Sequence, residues 1–255
     1  MKLFVDRVFR LPRVWSNREL EKYAHLFHGD IVNVSGWQDI DKEGKRYRDY
    51  FFNAGSYTIT NYKAEARGFQ GYQNEIFLDL EQELPKELYQ RFDAAFNHTT
   101  LEHIFDIQKA FANVCNLSKD IVILVLPFLQ QYHSSYGDYW RFTPLAIRRM
   151  FQDNGLEVIY QSYNGNKMSS VYVFTIASRN PEKWMAHFKS PLSSIDIKEG
   201  EYRSNIGHNA ISNFPNKIYR KFNQLLNMPK KALQGVLRST DSLLGRSAGR
   251  RPSEK

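Results

Sequence analysis

The run Ile121-Val122-Ile123-Leu124-Val125-Leu126-Pro127 carries the reading of the fold. Six apolar residues stand in succession without polar alternation, and four of them are β-branched. Such a run reads as a strand buried on both faces. Pro127 has no amide hydrogen for the ladder and is expected to end it. The apolar stretch reaches Leu129 at most, too short to span a bilayer.

Helices flank this strand. Upstream, residues 106–117 read as a helix with Ile107, Ala110, Phe111 and Val114 on one face. Downstream, Thr143-Pro144 joins a capping residue to a proline at the first helical position, and Gly155 closes that helix. Its apolar face is Ile147, Met150 and Phe151. Further short strands are expected at 31–34, 57–61, 75–78, 94–97, 157–162 and 170–177. Trp15-Ser16-Asn17-Arg18-Glu19-Leu20 predicts the start of a first helix. There Ser16 caps, Glu19 reaches back to the Ser16 amide, and Trp15 packs on Leu20. Gly29 supplies the left-handed residue behind that helix. Buried strands alternating with helices predict an α/β fold, its sheet covered on both faces.

The 255 residues are 42% hydrophobic, enough for one large core and incompatible with a wholly disordered chain. The single cysteine, Cys115, excludes an internal disulfide and a cysteine zinc site, and reads as a small buried side chain. The formal charge of +8 is unevenly spread. Residues 1–204 hold 25 basic and 25 acidic side chains, whereas 205–255 hold 10 basic ones against Asp241 and Glu254. A domain over 1–190, a linker over 191–204 and a basic amphipathic helical tail over 205–255 are expected. The linker is marked by Pro191-Leu192-Ser193-Ser194. The tail carries one apolar stripe of Ile218, Phe222, Leu225 and Leu226, and a second of Leu233, Val236, Leu237, Leu243 and Leu244. From Arg246 the periodicity stops, which predicts disorder. Such a tail suits an anionic membrane surface first and a protein partner second. Nucleic acid ranks last, because apolar stripes have no use on phosphates. Asp6, Arg7, Arg10 and Arg13 interrupt any secretory run, so the expected location is cytoplasmic, with a peripheral place at the inner membrane face.

A resemblance sharpens this reading. Phe92-Asp93-Ala94-Ala95-Phe96-Asn97-His98-Thr99-Thr100-Leu101-Glu102-His103-Ile104 resembles the fourth-strand region of class I S-adenosylmethionine-dependent methyltransferases. Leu126-Pro127-Phe128, His133 and Gly137-Asp138-Tyr139-Trp140-Arg141-Phe142-Thr143-Pro144 look like a subgroup often encoded with bacterial surface-polysaccharide genes. The resemblance covers residues 28–180. It implies a seven-stranded, Rossmann-like sheet and S-adenosylmethionine as cofactor. Where that family ends its first strand in an acid and a glycine-rich turn, this chain has Asn33-Val34-Ser35-Gly36-Trp37. Asn33 stands for the acid, Ser35 and Trp37 for glycines, and Gly36 alone remains. Asn61 occupies the place of the acid that takes the ribose hydroxyls. Asp79 matches the acid that contacts the adenine amino group, and Asn97 and His98 are implied beside the methionine end. Each lost charge-assisted bond costs on the order of 1.5–3 kcal/mol.

Transfer of a methyl group to a hydroxyl needs in-line placement and a base near the departing proton. The candidate bases are His133 and His98, with His103 read as structural. Asp138, Tyr139 and Arg141 are the candidates for holding a small-molecule or glycan acceptor. Asp138 and Arg141 can equally form an ion pair that orders the loop, and Trp140 and Phe142 can pack the helix from Pro144. Glu102, His103, His133 and Asp138 offer oxygen and imidazole donors without a defined ligand spacing, and no metal site is assigned. The expected function is O-methylation of a sugar or surface-glycan intermediate. The competing expectation is a non-catalytic, methyltransferase-like module for binding or assembly.

Overall fold

The computed structural model describes residues 6–63, 68–134, 137–165 and 169–188, together with Ile218. The chain divides into two compact units, Met1–Ala210 and Ile211–Lys255. Within the second, Ile218 is helical and exposed. The expected linker and the rest of the basic tail lie outside the described residues.

Seven strands form one sheet: β1 (Gly29–Val34), β2 (Ala54–Asn61), β3 (Glu75–Phe77), β4 (Phe92–His98), β5 (Ser118–Leu129), β6 (Glu157–Tyr163) and β7 (Val171–Ser178). Their order is β3-β2-β1-β4-β5-β7-β6. Neighbours from β3 to β5 are parallel, and β7 runs antiparallel to both β5 and β6. The fold is therefore α/β and Rossmann-like. After β3 the chain crosses from one side of β1 to the other, which places the topological switch between β1 and β4. Open α/β sheets bind ligands at that point, beyond the carboxyl ends of the strands.

Every residue from Ile121 to Leu126 is buried. Ile121, Ile123 and Val125 face one core with Leu20, Tyr47, Phe51 and Phe96. Val122, Leu124 and Leu126 face the other, with Phe111, Val114, Ile147 and Phe151. These partners come from α2 (Ile107–Leu117) and α3 (Pro144–Asp153), whose boundaries follow the expected signals. Asp106 accepts the Lys109 amide, Thr143 accepts the Ala146 amide, and Gly155 adopts φ 71°. Pro127 does not end β5. A register shift between Pro127 and Leu129 absorbs it, and the strand runs on.

Helix α1 (Arg10–Tyr23) departs from expectation. It begins well ahead of Ser16, where the Asp6 carboxylate accepts the amides of Val8, Phe9 and Arg10. Ser16 and Glu19 lie inside the helix and make tertiary contacts in place of a capping box. The Ser16 hydroxyl meets His98, and the Glu19 carboxylate accepts from the Tyr160 and Ser162 hydroxyls. Gly29 has the left-handed backbone foreseen, φ 82°, but it opens β1 after a short 3-10 turn, Ala24–Leu26. Among the described residues no helix is long and apolar enough to cross a membrane.

Candidate active site

A cavity of about 400 Å³ opens at the carboxyl ends of β1, β2 and β4. That volume lies within the usual range for small-molecule sites, about 300–1,000 Å³. Asn33, Gly36, Asn61, Asp79, His98 and Tyr139 all stand in its wall. The wall also includes Arg13, Trp37, Tyr47, Thr99 and His103. Asn97, His133, Asp138 and Arg141 are not among the lining residues. Arg13 escaped the sequence reading because the first helix was expected to begin after it. A second cavity, beside Gln152, Leu156 and Arg179, lies at the other edge of the sheet.

The turn after β1 is held under strain. Ser35, Trp37 and Asp39 have φ of 57°, 48° and 60°, in the left-handed region that side chains disfavour. Strand β2 fixes this shape. The Ser35 amide donates to the Thr60 hydroxyl, and the Gly36 amide donates to the Thr60 carbonyl, both at 3.2 Å. Asn61 clamps Trp37 from both sides. Its Oδ1 accepts the Trp37 amide at 2.7 Å, and its Nδ2 donates to the Trp37 carbonyl at 3.1 Å. At position 36 a Cβ would come within 2.5 Å of Asn33 Nδ2, which explains the one glycine retained.

Asn33 and Asn61, which the resemblance sets in acidic places, each face a carboxylate. Asn33 Nδ2 donates to Asp39 Oδ1 at 2.8 Å, and Asp39 also accepts from the Tyr57 hydroxyl and the Arg48 amide. Burial raises the Asp39 carboxyl above its ordinary value. Asn61 Nδ2 also donates to Glu75 Oε1, at 2.5 Å. Burial presses the Glu75 pKa upward, but bonds from Asn61 and the Tyr72 and Gln70 amides outweigh it and hold the carboxyl low. At each place a carboxylate stands behind the asparagine and takes its amide hydrogen. Asp79 remains in the wall, its Oδ1 accepting the Glu81 amide. Asn97 is fully buried, donating to the Val34 carbonyl across the switch point, and its Oδ1 has no hydrogen bond.

The histidines differ in placement. The Ser16 hydroxyl donates to the Arg13 carbonyl at 2.9 Å, so His98 Nε2 must donate to Ser16, 2.8 Å away. His98 Nδ1 then accepts from Thr99 Oγ1 at 3.1 Å. Burial, and next the charge of Arg13, hold His98 neutral well below the usual imidazole range. His103 reaches the Gly137 carbonyl through Nδ1 at 2.6 Å, and burial lowers its pKa also. His133 packs against His103 with ring centroids 5.2 Å apart. Glu102 is fully buried behind His103, and burial pushes its carboxyl up to about 7. Asp138 and Arg141 form a two-bonded ion pair, and Arg141 also donates to the carbonyls of Gln130, Gln131 and Trp140. Those bonds from Arg141 hold the Asp138 carboxyl down at about 2. The pair orders the loop. Tyr139 is exposed and stacks edge-on against Phe105.

The state of His98 gives a measurable pH dependence. Unfolded, this ring takes a proton near pH 6.5; folded, it does not. Below about pH 6.5 the unfolded chain binds more protons, so stability falls with pH by up to about 1.4 kcal/mol per unit. His98→Gln is expected to flatten that slope in urea unfolding between pH 7 and 5. Equal slopes in the two proteins would show that the folded ring titrates normally.

No protein-family model matches the sequence, and no curated protein matches it either. Solved structures do. One is a magnesium protoporphyrin IX methyltransferase from Synechocystis with bound S-adenosylhomocysteine, 11% identical at a TM-score of 0.43, over 66% of this chain and 83% of that one. Another is the 1,6-didemethyltoxoflavin-N1-methyltransferase of Burkholderia thailandensis, 16% identical at a TM-score of 0.45, over 65% and 80%. A third is an S-adenosylmethionine-dependent methyltransferase from Clostridium acetobutylicum, 10% identical at a TM-score of 0.46, over 66% and 91%.

Proposed function

We propose that the chain is an S-adenosylmethionine-dependent methyltransferase and that the cavity at the switch point takes its cofactor. One observation carries this reading. Gly36, Asn61 and Asp79, which the family resemblance assigns to the cofactor, converge on a single cavity at the carboxyl ends of parallel strands. The residues fit the group: Asp79 in the wall offers a carboxylate to an amino group, and Asn61 an acceptor to a hydroxyl. When bound, the cofactor supplies a methyl group on an electron-poor sulfur.

The chain's part is placement and proton removal. Asn61 keeps an acceptor lone pair for a hydroxyl, although both of its amide hydrogens are engaged. Thr99 lies in the wall and donates to His98, so an acceptor hydroxyl held there can pass its proton through Thr99 Oγ1 to His98 Nδ1. Burial and the charge of Arg13 disfavour the imidazolium, so His98 can hold that proton only in passing. His133, away from the wall, is not assigned as the base. Tyr139 is the member of the substrate-binding trio that faces the opening.

The finer reading is O-methylation of a sugar or glycan intermediate at a membrane face. Its support is the Asp138–Pro144 motif and the basic composition of residues 205–255. A non-catalytic binding module is the competing reading, favoured by the amide hydrogens of Asn33 and Asn61 that Asp39 and Glu75 occupy. Calorimetry of the full chain with S-adenosylmethionine and S-adenosylhomocysteine separates the two. Binding tighter than about 1 mM is expected, corresponding to about 4 kcal/mol, and Asp79→Ala is expected to weaken it about tenfold. Binding weaker than that in the unaltered protein would remove the enzymatic reading.

A further inference from the structure

Beside the cavity, Glu102, His103 and His133 bring a carboxylate and two imidazoles together, with one ligand atom from each within 4.8 Å of the others. We propose that these three side chains bind one divalent first-row transition cation. The inference goes beyond the cofactor reading and does not depend on it.

The second observation is Glu102 itself. Its side chain is fully buried, and neither carboxylate oxygen has a hydrogen bond among the described residues. A buried carboxylate without donors is costly, and native proteins satisfy such groups with a donor, an ion or water. The surrounding backbone holds the residue in place, since its carbonyl accepts the Tyr139 and Trp140 amides. The carboxylate cannot readily swing out to solvent.

Each ring has partners that fix its Nδ1. His103 must donate from Nδ1 to the Gly137 carbonyl, which puts its lone pair on Nε2. That nitrogen stands 3.7 Å from Glu102 Oε1. His133 Nδ1 lies 3.3 Å from both Asp138 Oδ2 and the Gln131 carbonyl, and both are acceptors. Its hydrogen accordingly sits on Nδ1 and its lone pair on Nε2. Carbonyl and carboxylate partners on the far ring nitrogen are the usual outer support of metal-bound histidine. Asp138 is itself fixed by Arg141.

The donor set selects the ion. Two imidazoles and one carboxylate suit zinc, iron, cobalt or manganese, whereas magnesium and calcium prefer oxygen throughout. Ligand atoms on such an ion lie about 2 Å from it, so the set must draw in by on the order of 1 Å. Two cations act on Glu102, Arg13 and Arg141, and Asp138 neutralises the second. His103 belongs to the cavity wall as well as to this cluster, so a bound ion would border the space given to the methyl acceptor.

Cobalt is the probe, because its visible absorption reports the ligand field directly. The full chain, stripped with a chelator and without cofactor, is titrated with Co²⁺. One equivalent should bind with new visible bands, and Zn²⁺ should displace it. His133→Ala and Glu102→Gln should each weaken binding by tenfold or more, comparable to or beyond the loss from an outer-support residue. His133 is partly exposed, so that variant keeps the test alive if the Glu102 variant does not fold. Absence of saturable binding, or equal binding in the His133 variant, would overturn the site.

Discussion

Asn33→Asp is expected to lower the unfolding free energy by about 3–5 kcal/mol at pH 8, the usual cost of an uncompensated buried charge. The change looks like a repair, since the methyltransferases that the sequence resembles carry an acid at this place. In this chain it sets two carboxylates against each other. Asn33 and Asp39 are both buried, 1% and 5% exposed, and the amide hydrogen between them is what makes the contact favourable. Two carboxyls at that distance would share one proton. The folded form then holds a proton that the unfolded form releases above about pH 4, so the loss should grow with rising pH and shrink toward pH 5. Urea unfolding at both pH values checks this. The exchange Asn33→Asp with Asp39→Asn restores one amide and one acid, and is expected to recover most of the stability. A double variant no better than the single one would mean that the pairing does not decide the residue at 33.

Asn61→Asp should be nearly as damaging, at about 3 kcal/mol, the upper end for buried bonds left unmade. The new side chain keeps the acceptor for the Trp37 amide but loses both donors. One lost donor leaves an oxygen against the Trp37 carbonyl, and the other leaves it against Glu75. The turn at 35–37 would lose the clamp that holds its left-handed residues. Cofactor binding in calorimetry is therefore expected to weaken, although the family's ribose-binding acid has been put back. Adding Glu75→Gln returns a donor to the contact and should restore stability. Tighter binding by Asn61→Asp alone would show that the asparagine is a defect and not a fitted partner of Glu75.

Much of the fold was legible because hydrophobic burial writes a regular code. The unbroken run at 121–126, the capped start at Thr143-Pro144 and the stop at Gly155 each depend on neighbours close in sequence; α3 stands where its residues put it, and β5 contains the run but continues past Pro127 to Leu129. The start of α1 was not legible, because Ser16 and Glu19 have the spacing of a capping box but answer to His98, Tyr160 and Ser162 across the fold. The site was legible in part. Of the residues that the resemblance assigns to the cofactor, Asn33, Gly36, Asn61 and Asp79 share one cavity wall and Asn97 does not line it. Sequence reasoning could not see why two of them are amides. Asp39 meets Asn33 only through a left-handed turn, and Glu75 meets Asn61 only through the pairing of β2 with β3. His133 lies beside His103 because a loop returns, and the spacing of these residues carries no trace of that return.

The clamp on Trp37 has a mechanical consequence. Asn61 grips the turn on one side and Glu75 on the other, and Glu75 in turn gathers the amides of Gln70 and Tyr72. The arch over the opening is thus tied through a single carboxamide to the outermost strand of the sheet. A pull on the turn is therefore passed through Asn61 to Glu75 and the edge strand that it opens.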